Sequence, residues 1–202
     1  MSKGKYICLE GGDGSGKSTL AAALHERIGD ENAISIRFPS DGIVGKVIRK
    51  GLMGELSLES KPFLYLFAAD GLQEELWIED HLNIQGQHII CDRHPTLSGR
   101  VYQLLHHGVD EIEDVYNAAA RDGISMPDHL FVVEVPDSVA LERMKSRKKY
   151  VDVVFERDDL EYIHTITERY RMIASRFGGT ILDGTKTTEE LVEEIMEVTG
   201  LA

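Results

Sequence analysis

The chain has 202 residues, which is near the usual size of one domain and long enough to bury a core of its own. Hydrophobic residues make up 42% and charged residues 28%, as is ordinary for a globular protein. The net charge of −13 disfavours nucleic-acid and membrane partners, because an acidic surface repels phosphate backbones and anionic lipids. A small anionic substrate can still bind where some of the 22 Lys and Arg residues gather.

The two cysteines, Cys8 and Cys91, stand in apolar runs and are too few for a disulfide framework in a chain of this length. We interpret both as small buried hydrophobes in a reducing compartment. Met1 to Lys5 leads directly into a strand-like run, which predicts no signal peptide. No apolar stretch approaches the ~20 residues that a membrane span needs. The sequence therefore predicts a cytoplasmic protein.

Short apolar runs alternate with helical patterns along the whole chain. Five runs are predicted strands: Tyr6–Leu9, Ala33–Phe38, Gln87–Cys91, His129–Val135 and Thr180–Leu182. Their near-continuous apolar character is typical of strands buried on both faces of a parallel sheet. Glu59–Asn83 is predicted to form one long helix. The alternation predicts an α/β fold of βαβ units in a single domain spanning residues 1–202.

The segment after the first strand fits the pattern G-x-x-x-x-G-K-[ST] and precedes a helical pattern, the context of a P-loop. Its glycines let successive backbone N–H groups turn inward onto the phosphates of ATP. Lys17 is predicted to reach the β- and γ-phosphates and Ser18 to ligate Mg²⁺. A glycine-rich turn with a chance lysine is the alternative. The predicted ATP-binding residues here are Gly11, Gly12, Asp13, Gly14, Ser15, Gly16, Lys17, Ser18 and Thr19.

Asp92 and Arg93 follow the third predicted strand directly. Ligands of open α/β sheets bind outside the carboxyl ends of the strands, so both side chains are expected near the P-loop if the two strands are neighbours. Asp92 can hold the water shell of Mg²⁺ or orient the acceptor, and Arg93 can clamp a phosphate with its planar fork. The alternative is a surface ion pair that ends a strand.

A basic run reverses the local charge: Arg143, Lys145, Arg147, Lys148 and Lys149. Together with the aperiodic stretch after it, the run predicts a lid over residues 143–157 that closes over phosphates. The solvated face of a helix is an equally open interpretation. After the last predicted strand, Gly184 and Thr185 could contact adenine.

With these motifs placed, the chain resembles the thymidylate kinases over almost its whole length. The motifs appear in the family's order: the P-loop, Arg37-Phe38-Pro39, Leu66 to Asp70, Asp92-Arg93, Ser98-Gly99, Tyr102-Gln103, Pro127-Asp128, the basic lid, and Asp183 to Thr185. The resemblance implies a five-stranded parallel P-loop kinase sandwich, ATP and Mg²⁺ as cofactors, and a homodimer.

The resemblance also implies roles for individual residues. Asp13 would accept a hydrogen bond from the sugar 3′-hydroxyl, and Arg93 would bind the acceptor phosphate. Phe67 would stack on the base, and Tyr102 would fill the space of a 2′-hydroxyl. Other members without an arginine at the position of Gly14 supply catalytic arginines from the lid. The remaining residues so implied are Arg37, Phe38, Ser98 and Gln103 at the acceptor, with Arg143 and Arg147 in the lid.

Several positions depart from the family pattern. Gly71 stands where an arginine often follows the Ala-Asp pair, His94 replaces a tyrosine, and Ser98 comes one residue late. The segment Asp92 to Pro95 is similar instead to the viral thymidine kinases, which act on nucleosides as well. Three hypotheses follow: a kinase of thymidine monophosphate, a deoxynucleoside or broad deoxynucleotide kinase, and a nucleotide-binding regulatory module without kinase activity.

Overall fold

The computed structural model describes residues 3–146, 154, 157 and 159–201. A parallel sheet forms its centre, with the strands in the order β2-β3-β1-β4-β5. The strands are β1 (Tyr6–Glu10), β2 (Ala33–Arg37), β3 (His88–Asp92), β4 (His129–Glu134) and β5 (Thr180–Asp183). The predicted α/β class and five-stranded parallel sheet are confirmed, and each observed strand lies within one residue of its predicted bounds.

The connections between the strands are helical. The α-helices are α1 (Lys17–Ile28), α2 (Ile43–Leu52), α3 (Ser60–Glu79), α4 (Pro95–Tyr102), α5 (Val109–Arg121), α6 (Asp137–Ser146), α7 (Leu160–Phe177) and α8 (Thr188–Thr199). A π-helical turn covers Asp80–Gln85, and a 3₁₀ turn covers Gln103–Leu105.

The core lies on both faces of the sheet because alternate side chains of each strand point to opposite faces. Ile7 and Leu9 of β1 pack with α1 and α8 on one face. Tyr6 and Cys8 pack with α7 and with residues of α4 on the other. Cys8 pairs in register with Cys91 of β3, and both are fully buried free thiols, as predicted.

The long helix predicted over residues 59–83 is shorter than expected. α3 ends at Glu79 and passes into the π-helical turn, which Gly86 closes in a left-handed conformation. The Leu82 carbonyl accepts a hydrogen bond from the backbone N–H of Gly4, 2.8 Å away, instead of continuing the helix. The π-helical turn, rather than α3 itself, is thus the part that joins the segment before β1.

The strand order brings the functional loops to one edge of the sheet. β1 lies between β3 and β4, and the register pairs Leu9 with Asp92, while β2 pairs Arg37 with Asp92. The P-loop and the residues after β2 and β3 therefore leave the sheet side by side. Within the described parts of the chain, no helix is long and apolar enough to cross a membrane.

Candidate active site

The P-loop connects β1 to α1 with the geometry expected of a phosphate cradle. Gly11, Gly14 and Gly16 have φ angles of 142°, 80° and 96°, in a region that glycine adopts without steric cost. The Lys17 side chain is buried, and its ammonium lies 3.4 Å from the Gly12 carbonyl. Burial, together with the charge of Arg93, lowers the pKa of Lys17 to about 8. An anion beside Lys17 would favour its charged form, which is what a bound phosphate supplies.

A cavity of about 380 Å³ opens in front of the P-loop, at the carboxyl edge of the sheet. Its walls come from the P-loop, the end of β2, helices α2 and α3, and the segment from β3 into α4. The structure thus brings together most of the predicted acceptor and metal residues. Those that line this cavity are Asp13, Lys17, Ser18, Arg37, Phe38, Phe67, Asp92, Arg93, Ser98 and Tyr102.

Arg93 has an unusual backbone and a tightly held side chain. Its φ angle of 72° is a left-handed conformation that non-glycine residues rarely adopt. Its guanidinium donates to Asp13 Oδ1 at 2.8 Å and to the Tyr170 hydroxyl at 2.7 Å, and it lies 5.2 Å from the centre of the Tyr102 ring. Strained residues persist only where surrounding contacts hold them, and they cluster at functional sites. The structure therefore fixes this cation at the cavity wall.

The Asp13 carboxylate links the P-loop to this cation. Besides the bond from Arg93, Asp13 Oδ2 accepts a hydrogen bond from the Tyr102 hydroxyl at 3.1 Å. Asp13 and Tyr102, both predicted to contact the sugar of the acceptor, thus lie in contact with each other and with the predicted phosphate clamp. The three side chains form one charged and aromatic wall of the cavity.

The residues predicted to hold Mg²⁺ fit a hydrated cation. Asp92 is buried, and its Oδ1 atom has no hydrogen-bond partner within the described residues. A buried carboxylate oxygen without a partner is costly, and a metal-bound water would satisfy it. Ser18 lines the same cavity. Mg²⁺ binds through few protein ligands and keeps several waters, which suits this sparse oxygen set.

Two residues that were predicted to bind the acceptor are not placed for a direct contact with it. Ser98 donates to Glu10 Oε2 at 2.7 Å, so its hydroxyl is already engaged although it lines the cavity. Gln103 is fully buried, and neither atom of its amide has a partner among the residues that the structure describes. Gln103 is absent from the described lining of the cavity.

The P-loop glycine that replaces an arginine packs against α6. A Cβ atom at Gly14 would lie 2.5 Å from the Ala140 carbonyl oxygen, so α6 leaves no room for a side chain there. Arg143 of the same helix donates to the carbonyls of Gly14 and Ser15, both at 3.3 Å. An arginine from α6 therefore contacts the loop whose own sequence lacks one. Arg147 lies outside the described residues.

The loop predicted to approach adenine follows β5 at the same edge of the sheet. The Gly184 N–H donates to the Glu134 carbonyl at 2.7 Å, and the Thr185 hydroxyl donates to Asp183 at 2.6 Å. Both residues therefore have structural hydrogen bonds of their own.

Several residues at the site were not predicted from the sequence, and the two with charged side chains are Arg49 and Glu10. Arg49 of α2 lines the cavity, where its guanidinium donates to the Pro39 carbonyl and to Asp41 at 2.9 Å. Glu10, the last residue of β1, is fully buried behind the cavity. An acidic residue that ends an otherwise apolar strand was the signal that could have identified Glu10. Arg49 gave no such signal, because an arginine near the end of an amphipathic helix is an ordinary pattern.

Comparison with known proteins agrees with this geometry. A family model described as thymidylate kinase matches residues 9–195. The chain belongs to the thymidylate kinase family. Similar members include the probable thymidylate kinase of Methanocaldococcus jannaschii, 31% identical over 97% of this chain and 96% of that protein. The thymidylate kinase of Leptospira borgpetersenii is also 31% identical, over 98% of this chain and 94% of that protein.

A solved structure supports the fold of this family member. The thymidylate kinase of Candida albicans superposes with a TM-score of 0.79 at 24% identity and covers 100% of this chain and 93% of that one. The family model and the two relatives confirm the predicted resemblance to the family, and the likeness to the solved structure shows a shared fold.

Proposed function

We propose that this chain transfers the γ-phosphoryl group of ATP to thymidine monophosphate and releases thymidine diphosphate. The observation that carries the proposal is the pair of cations, Lys17 and Arg93, on the wall of one cavity at the carboxyl edge of the sheet. Two more arginines, Arg37 and Arg49, line the same cavity. In a chain of net charge −13, this concentration of positive charge suits two anionic substrates better than one.

The donor half of the site is the P-loop. Its inward amides and the N-terminus of α1 would hold the ATP phosphates, while Lys17 neutralises charge on the γ-phosphoryl group as it leaves ADP. Ser18 and Asp92 would hold Mg²⁺, and the bound ion would offset phosphate charge during the transfer. Arg143, already bonded to the P-loop carbonyls, would contact the nucleotide from above.

The acceptor half is the cavity in front of the P-loop. Arg93 and Arg49 would clamp the monophosphate, so that one of its oxygens faces the γ-phosphoryl group for in-line attack. Phe67 would stack on the base from α3. Tyr102 would lie against the sugar and exclude a 2′-hydroxyl, because its ring is fixed by the bond to Asp13. Catalysis would rest on positioning and charge stabilisation, as in other phosphoryl transfers.

A lid over residues 143–157 would complete the site. Gly14 supplies no side chain to the transferred group, so the charge of an arginine must come from elsewhere, and we assign that role to Arg147. Closure of the lid would exclude water and prevent hydrolysis of ATP. Most of this segment lies outside the described residues, and only its first helical turn and isolated positions are placed.

We also propose that the protein is a homodimer located in the cytoplasm. Tyr65, Leu72 and Leu76 lie on one face of α3 and are exposed, Leu76 by 80% of its surface. Trp77 beside them is 39% exposed. A helix with apolar residues on several sides usually buries all of those sides. In a dimer with a two-fold axis, the exposed face of α3 would pack against the same face of the second subunit. The two buried free thiols suit a reducing compartment.

The proposal is tested by incubating the protein with ATP, Mg²⁺ and a panel of acceptors. The panel contains thymidine, thymidine monophosphate, deoxyuridine monophosphate, deoxycytidine monophosphate and uridine monophosphate, and products are separated by ion-exchange chromatography. Thymidine diphosphate as the main product supports the function. ADP release without any phosphorylated acceptor would reduce the protein to an ATPase or a regulatory module.

A further inference from the structure

A buried carboxylate lies behind the cavity wall and has no assigned role in phosphoryl transfer. Glu10 ends β1, and none of its side chain is exposed. Burial raises its pKa, whereas the charges of Arg93 and Lys17 and two hydrogen bonds oppose that rise and favour the ionised form. Isolated buried carboxylates are costly, so the groups that compensate Glu10 indicate what it does.

Glu10 holds the segment that follows β3 at two points. Its Oε1 atom accepts from the backbone N–H of His94 at 2.7 Å, and its Oε2 atom accepts from the Ser98 hydroxyl at 2.7 Å. The first bond fixes the peptide directly after Arg93, the residue with the left-handed backbone. The second fixes the second turn of α4. Both bonds thus act on the loop that carries the predicted phosphate clamp.

The second bond continues to the guanidinium of that clamp. The Ser98 hydroxyl lies 3.3 Å from the Tyr170 hydroxyl, and the Tyr170 hydroxyl accepts from Arg93 at 2.7 Å. A guanidinium can only donate, so the Tyr170 oxygen accepts from Arg93 and its proton is free to point at Ser98. Ser98 then donates its own proton to Glu10. All three bonds run in one direction, from the cation to the carboxylate.

We propose that Glu10 is the positioning residue for Arg93, and that it acts through a one-directional hydrogen-bond relay of Ser98 and Tyr170 and through the backbone N–H of His94. The carboxylate sets the direction of the relay because it accepts at both oxygens. The relay leaves the Tyr170 oxygen as an acceptor for one arm of Arg93, while Asp13 holds the other arm. The guanidinium is thereby aimed before the acceptor arrives.

An amide of the same shape cannot replace the carboxylate. In Glu10→Gln, an amide NH₂ turned toward Ser98 would reverse the relay, because Ser98 would then donate to Tyr170 and the Tyr170 proton would lose its acceptor. The other orientation would place the NH₂ against the N–H of His94, so that two donors face each other. Each orientation leaves one donor without an acceptor in a buried site, although the volume of the side chain is unchanged.

The inference rests on the proposed function, and two measurements distinguish a failure of the relay from a failure of that function. The dissociation constant for thymidine monophosphate is measured by calorimetry, and its turnover by ADP release. Glu10→Gln should weaken binding of the monophosphate by roughly 10- to 100-fold, the range of a lost hydrogen bond to a charged group. The KM for ATP should change by less than about threefold, because the P-loop amides do not depend on the relay.

A double-mutant cycle distinguishes the relay from general stabilisation. Tyr170→Phe removes the middle of the relay, so adding Glu10→Gln to it should cost less than about threefold more, whereas independent effects would multiply. Ser98→Ala replaces Glu10→Gln in the same cycle if the latter does not fold. Glu113→Gln is the matched control, because Glu113 also pairs with buried Arg100 but lies away from the cavity.

The outcomes are distinct. Weakened binding of the monophosphate in Glu10→Gln, with little further loss in the Tyr170→Phe background, supports the relay even if the wild-type protein turns over a different acceptor. Wild-type affinity in Glu10→Gln, or effects that multiply in the cycle, overturns the relay and leaves the kinase function standing. A wild-type protein that does not bind thymidine monophosphate overturns both.

Discussion

Gly71 and Pro95 lie against each other where α3 packs on α4. A Cβ atom at position 71 would lie 2.8 Å from Pro95 Cγ and 2.7 Å from Ile124 Cδ1. Two of the departures from the family pattern, the missing arginine and the His-Pro segment, are therefore one feature of the structure. The Pro95 ring fills the space into which a side chain at position 71 would project.

Gly71→Ala is expected to destabilise the protein although alanine favours helices. Overpacking costs about 1–3 kcal/mol, which exceeds the gain of ~1 kcal/mol in helix propensity. The proline ring cannot move as a flexible side chain does. The cost should therefore shrink in a Pro95→Ala background, as measured by urea unfolding of the four proteins in the cycle. An equal cost in both backgrounds would show that Pro95 is not the obstacle.

Lys17→Ala is expected to abolish turnover and preserve the fold. Lys17 would neutralise phosphate charge in the transition state, and a charge-stabilising cation there is worth ~10³ or more in rate. The only hydrogen bond that its described surroundings give it is the 3.4 Å contact with Gly12, so little stability should be lost. The midpoint of thermal unfolding should stay within about 4 °C, a change of ~1 kcal/mol. Turnover near wild type in the folded variant would contradict the P-loop assignment.

Lys17 belongs to the part of the site that could be predicted from the sequence. The P-loop is a local motif whose backbone geometry follows from its glycines, and the buried strands follow from unbroken apolar runs. Arg49 could not be predicted in the same way, because the packing of α2 against α3 decides which of its residues faces the cavity. Glu10 became meaningful only when β3 was placed beside β1.

Contacts between residues far apart in sequence also account for the other differences between the predictions and the structure. A hydrogen bond joins the π-helical turn at Leu82 to Gly4, a residue far away in sequence. Gly71 could be identified as a departure from the family pattern, but its cause lies in Pro95 and Ile124 on other elements. Periodicity and propensity report on one segment at a time and do not contain such contacts.

Arg49→Ala is expected to weaken the use of thymidine monophosphate selectively. The arginine lines the acceptor cavity, so the KM for the monophosphate should rise by roughly 10-fold or more, as for one charge-assisted hydrogen bond. The KM for ATP should be unaffected. Lys50→Ala is the matched control, since Lys50 is the exposed neighbour on α2 and its charge is screened by solvent. Equal effects of the two substitutions would indicate a general loss of positive potential.

Arg147→Ala is expected to lower kcat far more than it weakens ATP binding. An arginine that stabilises charge during phosphoryl transfer is worth ~10³ in rate, or about 4 kcal/mol. Gly14 leaves the P-loop without such a group, and Arg143 is already bonded to the loop carbonyls. Lys145→Ala, which removes an exposed charge from α6, should have a much smaller effect. A loss in kcat below about threefold, against the ~10³ expected, would assign the catalytic arginine elsewhere.

We infer that Arg93 receives an anionic acceptor. Its guanidinium is held by Asp13 and Tyr170, and one further charge-assisted contact would be completed by a monophosphate but not by a nucleoside. Such a contact is worth ~1.5–3 kcal/mol. The preference should fall by about 10-fold or more in Arg93→Ala, which leaves the P-loop and Arg49 in place.

The most direct measurement is the ratio of kcat/KM for thymidine monophosphate to that for thymidine, with saturating ATP and Mg²⁺, in the wild-type protein and in Arg93→Ala. We predict a ratio of at least ~10 in the wild type and a ratio at least ~10-fold lower in the variant. A wild-type ratio below one would make thymidine the better substrate and would contradict the assignment of the acceptor.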